Sequence, residues 1–134
     1  MKLILDFDDV LFDTSSFKEI IFDALTHYGV SNGILLYEKE RKTEAPFSLK
    51  RFIYNALEQN PGAHMDADIL YYQIMSNCKN LVNQELVDFV KTIGKDNCYI
   101  VTNGDFDFQM DKITQTKINE LAAEVIVVSG GKKE

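Results

Sequence analysis

The spacing of three apolar runs constrains the fold most: KLILDF at residues 2–7, CYIVT at 98–102 and EVIVVS at 124–129. Each is short, aliphatic and bounded by polar residues or glycine, the pattern of a strand buried on both faces in a parallel sheet. No strand pattern interrupts the long stretch between the first and second runs, and one amphipathic segment joins the second to the third. The order strand, helical insert, strand, helix, strand predicts an α/β fold with a parallel, three-layer Rossmann-like core and an α-helical cap inserted after the first strand. Residues 1–14 and 84–134 are assigned to the core and 15–83 to the cap.

Within the insert the helical period is explicit. Phe17, Ile20, Ile21, Ala24, Leu25 and Tyr28 recur at helical spacing, with Ser16 and Glu19 set as a capping box and Gly29 as the stop. Leu49, Phe52, Ile53, Ala56 and Leu57 make a second stripe, and Ile69, Leu70, Tyr72, Gln73 and Met75 a less regular third. Pro46 and Asn60-Pro61-Gly62 break the insert into pieces. Helices are also expected over 84–93, closed by Gly94, and over 108–122.

A chain of 134 residues with 46% hydrophobic content can bury one domain core. Fourteen basic against 21 acidic side chains give a charge of −7, which lacks the cationic excess that nucleic acid or an anionic membrane requires. No run is long enough to span a bilayer, and the first apolar run stops at acids too early for a signal peptide. Cys78 and Cys98 are too few for a disulfide scaffold and read as reduced thiols. The expectation is a cytoplasmic protein without nucleic-acid or membrane partners.

In open parallel sheets ligands bind beyond the carboxyl ends of the strands. Here those ends carry Asp6, Asp8 and Asp9, then Thr102, Asn103 and Gly104, then Ser129, Gly130, Gly131 and Lys132. On extended backbone Asp6 and Asp8 share a side. One carboxylate of such a pair can attack while the other moves protons, and a hard cation relieves their repulsion. Acids at a strand end equally serve to cap the following turn. His27 and His64 have no partner at metal-ligand spacing, and Asp105, Asp107 and Asp111 read as helix caps or solvated acids.

LILDFDDVLFDT, residues 3–14, resembles the first motif of the haloacid dehalogenase superfamily, an apolar strand followed by Asp-x-Asp-x-Thr/Val and an apolar residue. CYIVTNGD at 98–105 resembles the second motif, an apolar strand closing in Ser or Thr, and Lys132 or Lys133, with Lys132 favoured, falls where the third motif carries its lysine. The resemblance implies a phosphohydrolase acting on a small phosphomonoester. Asp6 would be the nucleophile that becomes an aspartyl phosphate and Asp8 the general acid and base. Thr102, Asn103, Gly104 and Lys132 would hold the phosphoryl group. Magnesium is implied as cofactor, held by Asp6 and by the backbone carbonyl of Asp8. Arg41, Lys42, Lys50 and Arg51 are the cap residues available to a substrate, and each also fits a solvated basic face.

The fourth motif of that superfamily, an acidic pair after a further strand, has no counterpart before Glu134. The chain therefore reads as a domain that stops short of it, with KLILDF at a sheet edge open to pairing with a second copy. Two functions are expected from this: a weakly active phosphohydrolase, or a non-catalytic binding and assembly module using that edge.

Overall fold

The computed structural model describes residues 2–128. The chain runs β1 (Leu3–Asp6), α1 (Thr14–His27), α2 (Gly33–Arg41), α3 (Leu49–Glu58), α4 (Ala67–Met75), α5 (Gln84–Ile93), β2 (Cys98–Asn103), α6 (Phe106–Thr116) and β3 (Glu124–Val128). The three strands form one parallel sheet in the order β1-β2-β3, so the fold is the α/β, Rossmann-like arrangement with a helical insert between β1 and β2. Among the described residues no helix is long and apolar enough to cross a membrane.

The strands differ from the two-faced burial expected of them. Cys98, Ile100 and Thr102 of β2 are buried, while Tyr99, Val101 and Asn103 between them are not. The register places Leu3, Cys98, Leu5, Ile100 and Val125 on the packed face. Ile4, Val101 and Ile126 lie on the other, where Ile4 is 69% and Ile126 39% exposed. Right-handed crossovers explain the asymmetry, because two of them advancing the same way across a sheet lay their helices on one face. Among the described residues β1 is an edge strand, its outward side unpaired.

Helix boundaries follow from local chemistry. The cap of α1 is Asp13, which accepts from the Ser16 amide at 3.0 Å and the Ser16 hydroxyl at 2.7 Å, so the helix begins ahead of the expected Ser16–Glu19 box. The buried stripe of α4 is Leu70, Tyr71, Ile74 and Met75, with Ile69 and Tyr72 turned outward. That set has regular helical spacing, which the expected set did not. The last helix starts and stops earlier than expected, because Lys117 adopts a left-handed conformation (φ 62°) and a short 3-10 turn, Ile118–Leu121, follows.

Core and insert are joined where two linkers lie side by side. The Asp13 amide donates to the Leu81 carbonyl at 2.9 Å and the Asn83 amide to the Leu11 carbonyl at 2.8 Å. Phe7, Phe12, Phe17 and Phe108 continue the core across this junction, with ring centroids 5.0 to 6.3 Å apart in sequence order.

Candidate active site

β1 ends at Asp6, and the Phe7 side chain turns into the core. The Phe7 carbonyl then accepts from the amides of Val10, Leu11 and Phe12 at 3.3, 3.0 and 3.0 Å, closing a tight turn. Asp9 at its tip has φ 64°, a left-handed conformation that Asp tolerates better than most residues. The turn ends the two-residue alternation of the strand. Asp8 consequently swings over the end of β2 toward α6, whereas Asp6 remains exposed at the strand end.

Three donors converge on Asp8. Lys112 Nζ lies 2.9 Å from Oδ1, the Thr14 hydroxyl donates to the same oxygen at 3.1 Å, and Gln109 Nε2 donates to Oδ2 at 2.9 Å. Gln109 Nε2 also donates to the Thr102 hydroxyl at 2.6 Å, tying Asp8 to the end of β2. Asp105 caps α6 by accepting from the Phe108 amide, which sets Gln109 and Lys112 one turn apart on its inner face.

Lys112 has a side chain only 4% exposed, against 31% for Asp8. Its ammonium sits 4.3 Å from the Phe108 ring centroid, 5.4 Å from that of Phe12 and 5.7 Å from that of Phe7. Burial pushes its pKa below the usual lysine range, and the Asp8 carboxylate pulls it back up. The aromatic faces add a favourable cation–π component that partly replaces lost water.

The Asp8 cluster forms one wall of a cavity of about 450 Å³ between the strand ends and the insert. Asp9, Asn103 and Gly104 stand beside it on the core side, and Lys18, Tyr37 and Arg41 face it from the insert. Gly104 is at φ 148°, and a Cβ there would come within 3.2 Å of Gln109, so glycine keeps Gln109 in place.

The residues singled out in the sequence divide clearly. Asp8, Asn103 and Gly104 line the cavity. Asp6 does not, and Thr102 is buried beneath Gln109. Lys132 lies outside the described residues. Of the cap cations, Arg41 reaches the cavity, Arg51 is bound to Glu40 at 2.6 Å, and Lys50 lies over the Tyr71 ring. Thr14, Gln109 and Lys112 were not anticipated. A signal existed for two of them, because Gln109 and Lys112 fall on the same helical stripe as Phe108 and Ile113, where a solvated residue is out of place.

No protein-family model matches the chain, and no curated protein does. Solved structures do. A haloacid dehalogenase-like hydrolase from Burkholderia xenovorans LB400 superposes with a TM-score of 0.70 at 15% identity, over 94% of this chain and 60% of that one. A haloacid dehalogenase-like family hydrolase from Xanthomonas campestris gives 0.52 at 17% identity, over 96% and 61%. This chain thus spans about 60% of the length of the structures it resembles.

Proposed function

We propose that this chain, whose fold is that of haloacid dehalogenase-like hydrolases, hydrolyses a small phosphomonoester through an aspartyl phosphate. The clamped carboxylate of Asp8 in the wall of an interdomain cavity carries the reading. A proton-transfer group must be fixed within reach of the reacting oxygen, and three donors on two oxygens fix this one.

In the proposed reaction the Asp6 carboxylate attacks phosphorus and the ester P–O bond breaks. Asp8, protonated from solvent before the step, delivers that proton to the departing oxygen and is left as the carboxylate that Lys112, Thr14 and Gln109 hold. It then takes a proton from water, which attacks the aspartyl phosphate, releasing inorganic phosphate and restoring Asp6. The Asn103 amide, just ahead of α6, suits a phosphoryl oxygen in the way helix N-termini do, whereas the Gly104 amide already donates to the Val128 carbonyl at 2.9 Å. Lys112 keeps Asp8 oriented and balances its charge, and Lys132 is assigned to the phosphoryl group by motif position.

The donor set fits magnesium in a limited way. Among the described residues no group of three His, Cys, Asp or Glu side chains could cage an ion. Magnesium commonly keeps several waters and takes one or two carboxylates plus phosphate oxygens. The exposed Asp6 carboxylate and the Asp8 carbonyl would hold it, and it would supply charge neutralisation at the phosphoryl group. The side-chain oxygens of Asp8 are already occupied by Lys112, Thr14 and Gln109.

Phosphate release from p-nitrophenyl phosphate with magnesium tests the proposal. Asp6→Asn should abolish turnover and leave the urea midpoint unchanged. Retained turnover would overturn the assignment.

The open sheet face favours a second reading, a binding or assembly module. Ile4 and Val128 are 69% and 48% exposed, and β1 has an unpaired outward edge among the described residues. In this reading two copies pair through β1. Light scattering at increasing concentration should then show a dimer that Ile4→Lys dissociates, and a monomer throughout refutes it.

A further inference from the structure

The far wall of the cavity is cationic although the molecule carries a charge of −7. Lys18 comes from α1, Arg41 is the last residue of α2, and both lie against one ring. Lys18 Nζ is 5.5 Å and Arg41 Cζ 5.7 Å from the Tyr37 centroid. Arg41 Nη1 also donates to the Tyr37 hydroxyl at 2.9 Å, which tethers one end of the guanidinium to the ring.

Among the described residues neither cation has a carboxylate within ion-pair distance. The ion pairs among the described residues are Arg51 with Glu40 and Lys112 with Asp8. Since Lys112 and Asp8 neutralise one another, the remaining charged residues of the cavity wall are Asp9 on the core side against Lys18 and Arg41 on the insert side. Both cations line the same cavity beside Tyr37, so an anion held there meets two positive charges that no carboxylate of the wall is paired with. Phe17, Ile21, Phe47 and Phe108 form apolar walls around the space between the two ends. A cavity of about 450 Å³ is at the lower end of the range for small-molecule sites.

We propose that Lys18, Arg41 and Tyr37 form a second anion subsite, so that the substrate is a compact phosphomonoester carrying a carboxylate or a second phosphate at its other end. The phosphate end of this assignment rests on the phosphohydrolase reading, and the anion end on the insert residues alone. Arg41 offers a planar fork of donors that matches a carboxylate or phosphate edge, and Lys18 adds a point charge beside it.

Calorimetry with magnesium present separates the two claims. The probes are 3-phosphonopropionate, ethylphosphonate and succinate, offered to the unaltered chain and to the double variant Lys18→Met, Arg41→Met. The expected result is that 3-phosphonopropionate binds at least about tenfold more tightly than ethylphosphonate, and that the double variant removes this advantage without weakening ethylphosphonate. Equal affinity for the two phosphonates, or an advantage that survives in the double variant, overturns the subsite and leaves the phosphohydrolase reading intact. Succinate binding that depends on Lys18 and Arg41, with no binding of either phosphonate, supports the subsite and overturns the phosphate end. Silence with all three probes overturns both. Circular dichroism of the double variant checks that its helices are retained.

Discussion

Lys112 and Asp8 are the closest opposite charges in the site, and a double-mutant cycle on them tests its construction without any activity. At 2.9 Å and an effective dielectric of about 20, their attraction is ~6 kcal/mol. Desolvating the ammonium costs several kcal/mol, and the 31% exposure of Asp8 screens the pair further. The net coupling should therefore be about 1.5–3 kcal/mol, the range for a charge-assisted hydrogen bond. The two single substitutions should not cost the same. Asp8→Asn strands an ammonium that is only 4% exposed and should cost about 3 kcal/mol. Lys112→Met removes the desolvated charge, keeps the apolar stem against Phe7, Phe12 and Phe108, and should cost ~0–2 kcal/mol. The double variant should resemble Lys112→Met alone. Urea unfolding followed by circular dichroism gives all three values, which suits a chain without tryptophan. Additivity within about 0.5 kcal/mol, or a larger loss for Lys112→Met than for Asp8→Asn, would refute the pairing described.

Other consequences can be checked separately. Asp9 is left-handed at φ 64°, so Asp9→Val should destabilise by ~1–2 kcal/mol and Asp9→Gly should be close to neutral in the same unfolding assay. Gly104→Ala should displace Gln109 and lower turnover of p-nitrophenyl phosphate by at least ~10-fold, with a smaller effect on stability; unchanged turnover would show that the Gln109 contacts do not matter. Burial raises the Cys78 thiol from 9.0 to about 12 and the Cys98 thiol in the same direction. Because the folded values are raised, the contribution of these thiols to stability is full below pH 9 and is lost as pH rises through the folded values, so the urea midpoint should fall across that window. Ellman's reagent at pH 8 should leave both cysteines unmodified until the chain unfolds, and rapid reaction of the native protein contradicts their burial.

The order of elements was legible because period and length carry it. LILD and CYIVT are apolar without a helical period, and QELVDFVKTI repeats its apolar residues at helical spacing before a glycine. The site was legible only in part. Asp8, Asn103 and Gly104 were found because they follow strands. The alternation that would have set Asp6 beside Asp8 depends on extended backbone continuing past Asp6, and the tight turn closed on the Phe7 carbonyl ends it. The position of Gln109 and Lys112 on the stripe of Phe108 and Ile113 marks them as buried but not why, since what they pair with is a carboxylate more than 100 residues earlier in the chain. No local pattern contains that partner. Lys18 and Arg41 were similarly anonymous among the basic residues of the insert until Tyr37 gathered them.

The insertion of the cap between β1 and β2 also sets the order in which the protein can fold. Leu3 pairs with Cys98, so the β1–β2 ladder closes a loop between residues 95 positions apart. An unstructured loop of that length imposes a closure entropy that grows as about (3/2)RT ln n and is met before any contact between β1 and β2 forms. The insert shortens the effective loop if α1 to α4 pack first, because their contacts are local and the linkers at Leu11–Asp13 and Leu81–Asn83 emerge side by side. Helical signal should therefore precede sheet protection in a refolding time course. Asp8 meets Lys112 only after β1 has docked, which makes the Asp8 cluster one of the last features to assemble and among the first lost when an edge strand frays.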